Sequence, residues 1–250
     1  MAGAAALGSV SQLWRYPASS LAGERQDAIS VDTATVDGDR LFGLVDASDG
    51  EIARPDRGPK WHKVPLIRTR LSEDRRLEVA VPGGDWMPAP DPRSDRAISE
   101  FLGFGAAIRP YFQENATPDY AGPLTTERYN RAPIHLLTTA SLARLKALHP
   151  EGTPDPRRFR PNILVDMDPV EGSFPETEWI GRKLAIGDLL VTISEPCRRC
   201  GFTIIAQDGF DNDPAILRNL VRHNAHNIGV YCTVDRPARV EIGAPMRFLS

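Results

Sequence analysis

Residues 189–203, L-L-V-T-I-S-E-P-C-R-R-C-G-F-T, decide how the rest of the chain can be interpreted. The apolar, β-branched residues 189–194 predict a strand. Because Pro196 has no N–H to donate to a neighbouring strand, we expect the strand to end before it. Two arginines then separate Cys197 from Cys200, and nearby positive charge favours the thiolate, the form of cysteine that binds metals and attacks electrophiles. The stretch therefore predicts a strand with a reactive thiol at its end.

Three plainer interpretations of the two thiols stay open. They can be buried structural thiols without a chemical role. A structural zinc site needs four ligands, and His223 and His226 would have to complete the set, although helix-end histidines are more often solvated. A thioredoxin-like redox pair should open a helix, whereas residues 201–205, G-F-T-I-I, predict more strand.

The composition indicates a cytoplasmic protein of one large domain or two small ones. The chain has 250 residues, a formal net charge of −3, and 30 Lys and Arg against 33 Asp and Glu, so no basic field suggests nucleic acid. Its 3 cysteines are too few and too clustered for a disulfide framework, which fits a reducing cytoplasm. Residues 1–7 lack the basic start of a signal peptide and are too short to span a membrane. We therefore expect no membrane partner.

Short strands at close spacing predict an antiparallel sheet or small barrel in the first half of the chain. An Asp49-Gly50 pair marks a hairpin after residues 41–46, and the polar stretch 115–123 is the candidate domain junction. Strands are predicted over residues 9–16, 29–36, 38–46, 64–71, 76–81, 104–110, 134–139, 163–166, 179–188, 227–234 and 239–242, besides the cysteine strand.

Apolar periodicity and capping residues predict a few helices between these strands. We expect Ser94 to cap the first, and Thr139 or Ser141 to cap the second. The predicted fold class is therefore mainly β, of the α+β kind. The helices cover residues 94–102, 141–149 and 214–224.

Several motifs, in a fixed order, resemble a known family. The first half carries V-S-Q-L-W-R-Y-P-A-S-S from residue 10 and G-D-R-L-F-G-L-V-D from residue 38. The second half carries H-L-L-T-T-A-S-L from 135, F-R-P-N-I-L-V from 159, W-I-G-R-K-L-A-I-G-D from 179, E-P-C-R-R-C from 195 and N-I-G-V-Y from 227. With these motifs the chain resembles the MOSC proteins, named for the molybdenum-cofactor sulfurase C-terminal domain, among them the mitochondrial amidoxime-reducing component and its bacterial relatives. The resemblance implies a small N-terminal β-barrel domain over residues 8–118 and a MOSC β-barrel with peripheral helices over 119–250.

The resemblance also implies which positions form the site. The cysteine that ends the C-x-R-C run ligates molybdenum in such proteins, so Cys200 is the implied catalytic residue and metal ligand. The family's Y-P-x-K-S lysine is Ser19 here, so one phosphate contact is missing. Planar arginine forks suit an anionic phosphate better than lysine does. The implied cofactor-binding residues are Ser19, Ser20, Arg40, Thr138, Arg160, Asn162, Arg199 and Tyr231.

The implied cofactor is Mo-molybdopterin, in which a dithiolene and one soft thiolate hold molybdenum and leave positions open for oxygen-atom transfer. The implied function is an oxidoreductase that reduces a small N-hydroxylated or N-oxide-type substrate by two electrons. A separate electron-transfer protein is expected, because 3 cysteines cannot build a ferredoxin-like domain. Pyridoxal phosphate is not expected. Two alternatives stay open: a metal-free MOSC protein whose Cys200 carries sulfur or acts as a nucleophile, and a non-catalytic partner module.

Simple packing or solvation accounts for the other conspicuous residues. Cys232 follows Tyr231 on a predicted strand and so faces the opposite side, where it is expected to be a core thiol. His135, in an apolar strand, is predicted to be a core histidine. Cys197 stays ambiguous between a neighbour of the metal, a resolving thiol and packing. A solvated basic face is predicted for Arg68, Arg70, Arg75 and Arg76.

Overall fold

The structure, a computed structural model, describes residues 6–112, 122–126 and 134–249. Strands make up most of its regular structure. In chain order they are β1 Gly8–Arg15, β2 Glu24–Gln26, β3 Ala28–Val31, β4 Phe42–Asp46, β5 Arg68–Leu71, β6 Leu77–Ala80, β7 Met87–Ala89, β8 Ala106–Pro110, β9 Ile134–Thr138, β10 Ile163–Asp166, β11 Lys183–Ile186, β12 Leu189–Arg198, β13 Asn227–Arg236, β14 Ala238–Glu241 and β15 Pro245–Phe248. The helices between them are α1 Pro92–Leu102, α2 Thr139–Leu148 and α3 Pro214–Asn224.

Seven strands close into a barrel, in the order β10-β9-β13-β12-β11-β15-β1, and β1 pairs with β10 to complete the circle. Alternate side chains along each strand point inward. The inward set is apolar, so residues such as Val191 and Ile193 of β12 are fully buried in one core. Closure leaves these seven strands paired on both sides, which fixes their ends relative to one another.

Strand β1 comes from the start of the chain but belongs to this barrel, where Val10 lies opposite Val165 of β10. The other sheets of the first half are small: β4 pairs with β8, and β5, β6 and β7 form a three-stranded sheet. They surround a second apolar core that includes Leu44, Trp61 and Ile108. Strand β3 pairs with β14, so the two halves are joined at several places. The predicted junction at 115–123, with the 118/119 boundary, lies largely outside the described residues.

Helix α1 begins two residues earlier than predicted. Asp91 caps it, because its Oδ1 accepts a hydrogen bond from the main-chain N–H of Arg93 at 2.8 Å. Pro92 occupies the first turn, where its missing N–H leaves no partner unsatisfied. The prediction that Ser94 is the cap is therefore wrong; this serine lies inside the helix.

The second helix also has an earlier cap than predicted. Thr138 caps α2 by accepting a hydrogen bond from the N–H of Ser141 at 3.1 Å, so neither Thr139 nor Ser141 is the cap. The third helix, α3, has the predicted bounds. The predicted hairpin is present, because Val45 pairs antiparallel with Ile52 across a turn in which Gly50 donates to the carbonyl of Asp46 at 2.9 Å.

The cysteine strand is longer than predicted. β12 runs through Pro196 to Arg198, with Pro196 opposite Val230 of β13. Register shifts on both sides of the proline accommodate its missing N–H, as β-bulges do. The prediction of more strand after Cys200 is also wrong, because Gly201–Ile204 is a 3-10 helix.

The mainly β, α+β fold class predicted from the sequence is confirmed. In the parts of the chain that the structure describes, no helix is both long enough and apolar enough to cross a lipid bilayer.

Candidate functional site

A cavity of about 460 Å³ lies where the two halves of the chain meet. A volume of this size is typical of small-molecule sites. The first half contributes Ser20, Arg40, Pro55 and Asp56 to its wall. The second half contributes His135, Phe159, Arg160, Glu195, Arg198, Arg199, Cys200, Phe202 and Tyr231. The sequence motifs that lie far apart along the chain therefore meet at one place.

The cavity wall is positively charged. Four guanidinium groups and two carboxylates line it, a formal excess of two positive charges in a chain whose net charge is −3. The two carboxylates belong to Asp56 and Glu195. Such a wall favours an anionic ligand, because a partly enclosed site screens charge less than bulk water does.

Arg160 reaches from the second half into the loop that follows β1. Its Nη1 donates to the carbonyl of Leu21, and its Nη2 donates to the carbonyl of Ala18 at 3.3 Å. Its guanidinium also lies over the Tyr16 ring, 4.1 Å from the ring centroid. Burial and the neighbouring Arg40 lower the pKa of Arg160 to about 10, so the group stays charged at neutral pH. Arg160 therefore fixes the loop that carries Ser20.

Arg40 lies on the other side of the same tyrosine. Its guanidinium carbon is 5.4 Å from the Tyr16 ring centroid, and its Nη1 pairs with the carboxylate of Asp39. Asp39 also accepts a hydrogen bond from the main-chain N–H of Tyr16 at 2.7 Å. The Asp39 carboxylate and the Tyr16 ring thus stabilise two cations that would otherwise repel each other.

Three cavity residues have left-handed backbone conformations. The φ angles are +68° at Ser20, +52° at Arg40 and +55° at Arg160. Residues with a Cβ atom adopt this region at a cost of about 1–2 kcal/mol each. Strain of this kind is concentrated at binding sites, where the surrounding contacts hold the backbone in place.

Cys200 is exposed and lies on the cavity wall, just beyond the end of β12. Its carbonyl accepts hydrogen bonds from the N–H and the hydroxyl of Thr203, at 3.2 and 3.0 Å. The next residue, Gly201, lies so close to the first half that a Cβ atom there would be 3.2 Å from the carbonyl oxygen of Asp56. The thiol is therefore held where both halves approach it.

Cys197, by contrast, is fully buried. Its sulfur accepts a hydrogen bond from Nη1 of Arg199 at 2.7 Å. Burial alone would raise the pKa of this thiol, but the Arg199 charge, with smaller contributions from His135 and Tyr231, lowers it to about 6. These neighbours therefore favour the thiolate form of Cys197, although the thiol does not line the cavity.

His135 and Tyr231 face each other on neighbouring strands at the same wall. They are paired between β9 and β13, with ring centroids 5.6 Å apart. Burial and the nearby Cys197 sulfur raise the pKa of Tyr231 above its ordinary value of 10.0. The phenol therefore keeps its proton and is a hydrogen-bond donor at neutral pH.

The structure does not bring three of the implied cofactor residues to the cavity wall. Ser19 donates its N–H to the carbonyl of Phe42 at 2.8 Å. Thr138 is buried at the start of α2, where its hydroxyl donates to Glu176 at 2.9 Å. Asn162 is buried between β1 and β9 and accepts a hydrogen bond from the N–H of His135 at 3.1 Å. The other six implied site residues all line the cavity: Ser20, Arg40, Arg160, Arg199, Cys200 and Tyr231.

Other cavity residues were not selected from the sequence. His135 was predicted to be a core residue; it is 2% exposed but borders the cavity. The alternation of side chains along β9 could have revealed its place. Ile134 and Leu136 face the barrel core, so the residue between them must face the other side of the strand. No sequence pattern around Asp56 or Glu195 predicted that these residues would line the cavity.

A structural zinc site is not formed by the described residues, among which no group of three or more His, Cys, Asp or Glu could hold a metal ion. His223 lies in the last turn of α3 and His226 lies just beyond it, and neither lines the cavity. Cys232 is fully buried in the barrel core, as predicted.

Comparison with known families covers nearly the whole chain. Residues 7–119 match the MOSC N-terminal beta barrel domain, and residues 123–247 match the MOSC domain. The chain therefore belongs to the MOSC family. MOSC domains are associated with proteins related to molybdenum-cofactor sulfurase and with oxidoreductases.

The solved structures that are similar to this chain have low sequence identity to it. The YuaD protein from Bacillus subtilis is 14% identical, with 96% of this chain and 93% of that chain covered and a TM-score of 0.50. YiiM from Geobacillus stearothermophilus is 16% identical, with 48% and 55% covered and a TM-score of 0.35. YiiM from Escherichia coli is 18% identical over the same shares, with a TM-score of 0.33. No curated protein matches the chain.

Proposed function

We propose that this chain binds molybdenum cofactor in the cavity between its halves and reduces a small N-hydroxylated or N-oxide-type substrate. The observation that supports this most directly is the exposed thiol of Cys200 in a cavity lined by four guanidinium groups. A soft thiolate is a suitable molybdenum ligand, and arginine forks suit the pterin phosphate. The residues present therefore fit this cofactor by their chemistry.

The proposal gives each group a role. Cys200 would hold the metal, while Arg40, Arg160 and Ser20 would hold the phosphate. When bound, the cofactor supplies a metal centre that exchanges two electrons and accepts oxygen. Reduction of an N–OH group breaks the N–O bond, takes up two electrons and two protons, and releases the amine and water. Tyr231, whose Oη keeps its proton, lies at this wall with its hydroxyl hydrogen-bonded to the Cys197 side chain.

A separate electron-transfer protein must supply the electrons under this proposal. The chain has 3 cysteines, one of them the proposed metal ligand, so it cannot also hold an iron–sulfur cluster with four cysteine ligands. Turnover by the purified chain with NAD(P)H as its sole reductant would contradict this part of the proposal.

Metal analysis tests the proposal. The chain should be purified from a host that makes the cofactor, and its molybdenum content and the pterin fluorescence after oxidation measured. We expect about one molybdenum per chain. Cys200→Ser should abolish reduction of an N-hydroxylated amidine by a chemical reductant, because a protonated hydroxyl replaces the soft ligand. Cys232→Ser is the matched control, since that thiol is buried away from the cavity.

A metal-free role for Cys200 is the second candidate. It is supported by Ser19, which stands where the family has a lysine and does not line the cavity. In this role Cys200 would carry a sulfane sulfur or attack an electrophile. A chain with no molybdenum and no pterin, but with cyanide-releasable sulfur that Cys200→Ser removes, would support this candidate and contradict the first.

A further inference from the structure

The proposed function uses the exposed thiol and leaves the buried one without a role. Cys197 lies near the end of β12, is fully buried, and does not line the cavity. Its polar contacts are with cavity residues: the sulfur accepts a hydrogen bond from Nη1 of Arg199 at 2.7 Å, and the side chains of His135 and Tyr231 also hydrogen-bond to it.

Two contacts on opposite arms hold the Arg199 guanidinium. Nη1 donates to the Cys197 sulfur, and Nη2 donates to the main-chain carbonyl of Phe159 at 2.8 Å. Its Nε is buried and has no hydrogen-bond partner among the described residues. Cys197 is thus the side chain that fixes the plane of this guanidinium at the cavity wall.

The charges around Cys197 strengthen this contact. Arg199, His135 and Tyr231 surround the sulfur, and they keep it ionised despite its burial. A hydrogen bond between an ionised donor and an ionised acceptor is about twice as strong as a neutral one. A neutral thiol is a weak hydrogen-bond acceptor and would hold the Arg199 guanidinium less firmly.

We propose that Cys197 is a positioning residue, whose sulfur holds the Arg199 guanidinium in place to bind an anionic ligand in the cavity. The inference rests on the proposed function only for the identity of that ligand. It predicts a measurable effect on the binding of a simple anion, whether or not the chain carries molybdenum.

Binding of inorganic phosphate tests the inference. The full-length chain is purified from a host that does not make the cofactor and titrated with phosphate in a calorimeter at constant ionic strength. We expect Cys197→Ala to weaken binding about tenfold, as loss of one hydrogen bond to a charged group does. Cys232→Ala is the matched control, because it removes an equally buried thiol from the barrel core; its affinity should equal that of the parent chain.

A double-mutant cycle separates positioning from general damage. Arg199→Lys removes the planar fork that Cys197 holds. If Cys197 acts through Arg199, then adding Cys197→Ala to Arg199→Lys should change the affinity by less than about twofold. Losses that multiply in the double variant, or a Cys197→Ala chain that binds phosphate as tightly as the parent, would overturn the inference. A parent chain that binds no phosphate would also overturn it.

Two further controls keep the test decisive. If Cys197→Ala does not fold, Cys197→Ser is used instead, because it keeps the size of the side chain but loses the charge. We expect this variant to weaken phosphate binding about fivefold. Molybdenum content is measured separately in chain from a cofactor-making host. If the chain holds no molybdenum but Cys197→Ala still weakens phosphate binding, only the proposed function is contradicted. If the chain holds molybdenum but Cys197→Ala does not weaken phosphate binding, only the present inference is contradicted.

Discussion

Nη2 of Arg40 donates a hydrogen bond to the main-chain carbonyl of Arg160 at 3.4 Å, and this contact joins the two halves of the chain at the cavity. The Tyr16 ring lies against both guanidinium groups, at 5.4 Å from Arg40 and 4.1 Å from Arg160. The two cations are thus part of the interface between the halves as well as of the cavity wall. A ligand that neutralises them would also strengthen that interface.

Arg160→Gln should therefore destabilise the whole chain. The variant loses donors to the buried carbonyls of Ala18 and Leu21, so we expect the free energy of unfolding to fall by about 2–4 kcal/mol in urea titrations. Arg236→Gln is the matched control, because Arg236 also donates twice to a carbonyl, that of Asp188, but at an exposed site. The free energy of unfolding of Arg236→Gln should fall by less than about 1 kcal/mol. An equal fall in both variants would contradict the role assigned to Arg160.

The buried thiolate predicts a pH dependence of stability. The folded-state pKa of Cys197 is about 6, below the ordinary value of 9.0. A depressed pKa contributes stability that is fully present above the unfolded-state value and is lost as the pH falls toward 6. Relative to Cys197→Ser, the parent should therefore gain stability from pH 6 to pH 9, by at most about 1.4 kcal/mol per pH unit. His135, Arg199 and Tyr231 are present in both chains, so a difference that does not vary with pH would contradict the prediction.

Glu176 predicts a pH dependence of the opposite sign. It is fully buried, and its Oε2 accepts hydrogen bonds from the hydroxyls of Thr138 and Ser141, at 2.9 and 2.5 Å. Burial raises its pKa above the ordinary value of 4.5. The stability it contributes is present below that value and is lost as the pH rises through the folded-state pKa. The stability of Glu176→Gln relative to the parent should therefore increase as the pH rises above 4.5.

Glu178→Gln controls for this effect, because Glu178 lies in the same 3-10 helix but is exposed. The pH response of its stability should be smaller than that of Glu176→Gln, because no buried carboxyl group is removed. Urea midpoints of all three chains from pH 4 to pH 8 give the comparison. An equal pH response in both variants would show that Glu176 is not the titrating group.

Gly229 is predicted to be indispensable for the position of His135. A Cβ atom there would lie 2.3 Å from Nε2 of His135 and 2.8 Å from the carbonyl of Leu136. Gly229→Ala should therefore destabilise the chain by about 2 kcal/mol or more and displace the histidine. Gly243→Ala is the control, since it has a similar φ, +87° against +73°, but open space around it. The Gly243→Ala variant therefore measures only the cost of placing alanine at a positive φ, which we expect to be about 1 kcal/mol.

The barrel and the thiol could be predicted because local signals agree with the fold. β-branched runs predict the strands, and the resemblance to the family implied that Arg40, Arg160 and Cys200 share one site, where all three line the cavity. The extent of β12 could not be predicted, because tolerance of Pro196 depends on the register shifts against β13. The register between two paired strands depends on both of them, so it cannot be predicted from the sequence of one strand alone.

The remaining differences at the site have similar causes. Thr138 and Asn162 belong to matching motifs, but hydrogen bonds to Glu176 and to β1 and β9 hold both away from the cavity. Those partners lie far off in sequence. Asp56 reaches the cavity only because the two halves pack together near Gly201. Contacts of this range are set by tertiary packing, which overrides local preference.

The left-handed backbone at Ser20, Arg40 and Arg160 has a consequence for the evolution of such chains. Glycine at position 20 would relieve conformational strain. Glycine at position 40 or 160 would also remove the guanidinium that pairs with Asp39 or the one that donates to the carbonyls of Ala18 and Leu21. Selection for folding alone would therefore retain the two arginines and let the serine drift toward glycine. A relative with glycine at position 20 and both arginines unchanged would keep the fold, and that one codon would mark it as a descendant that has abandoned the site.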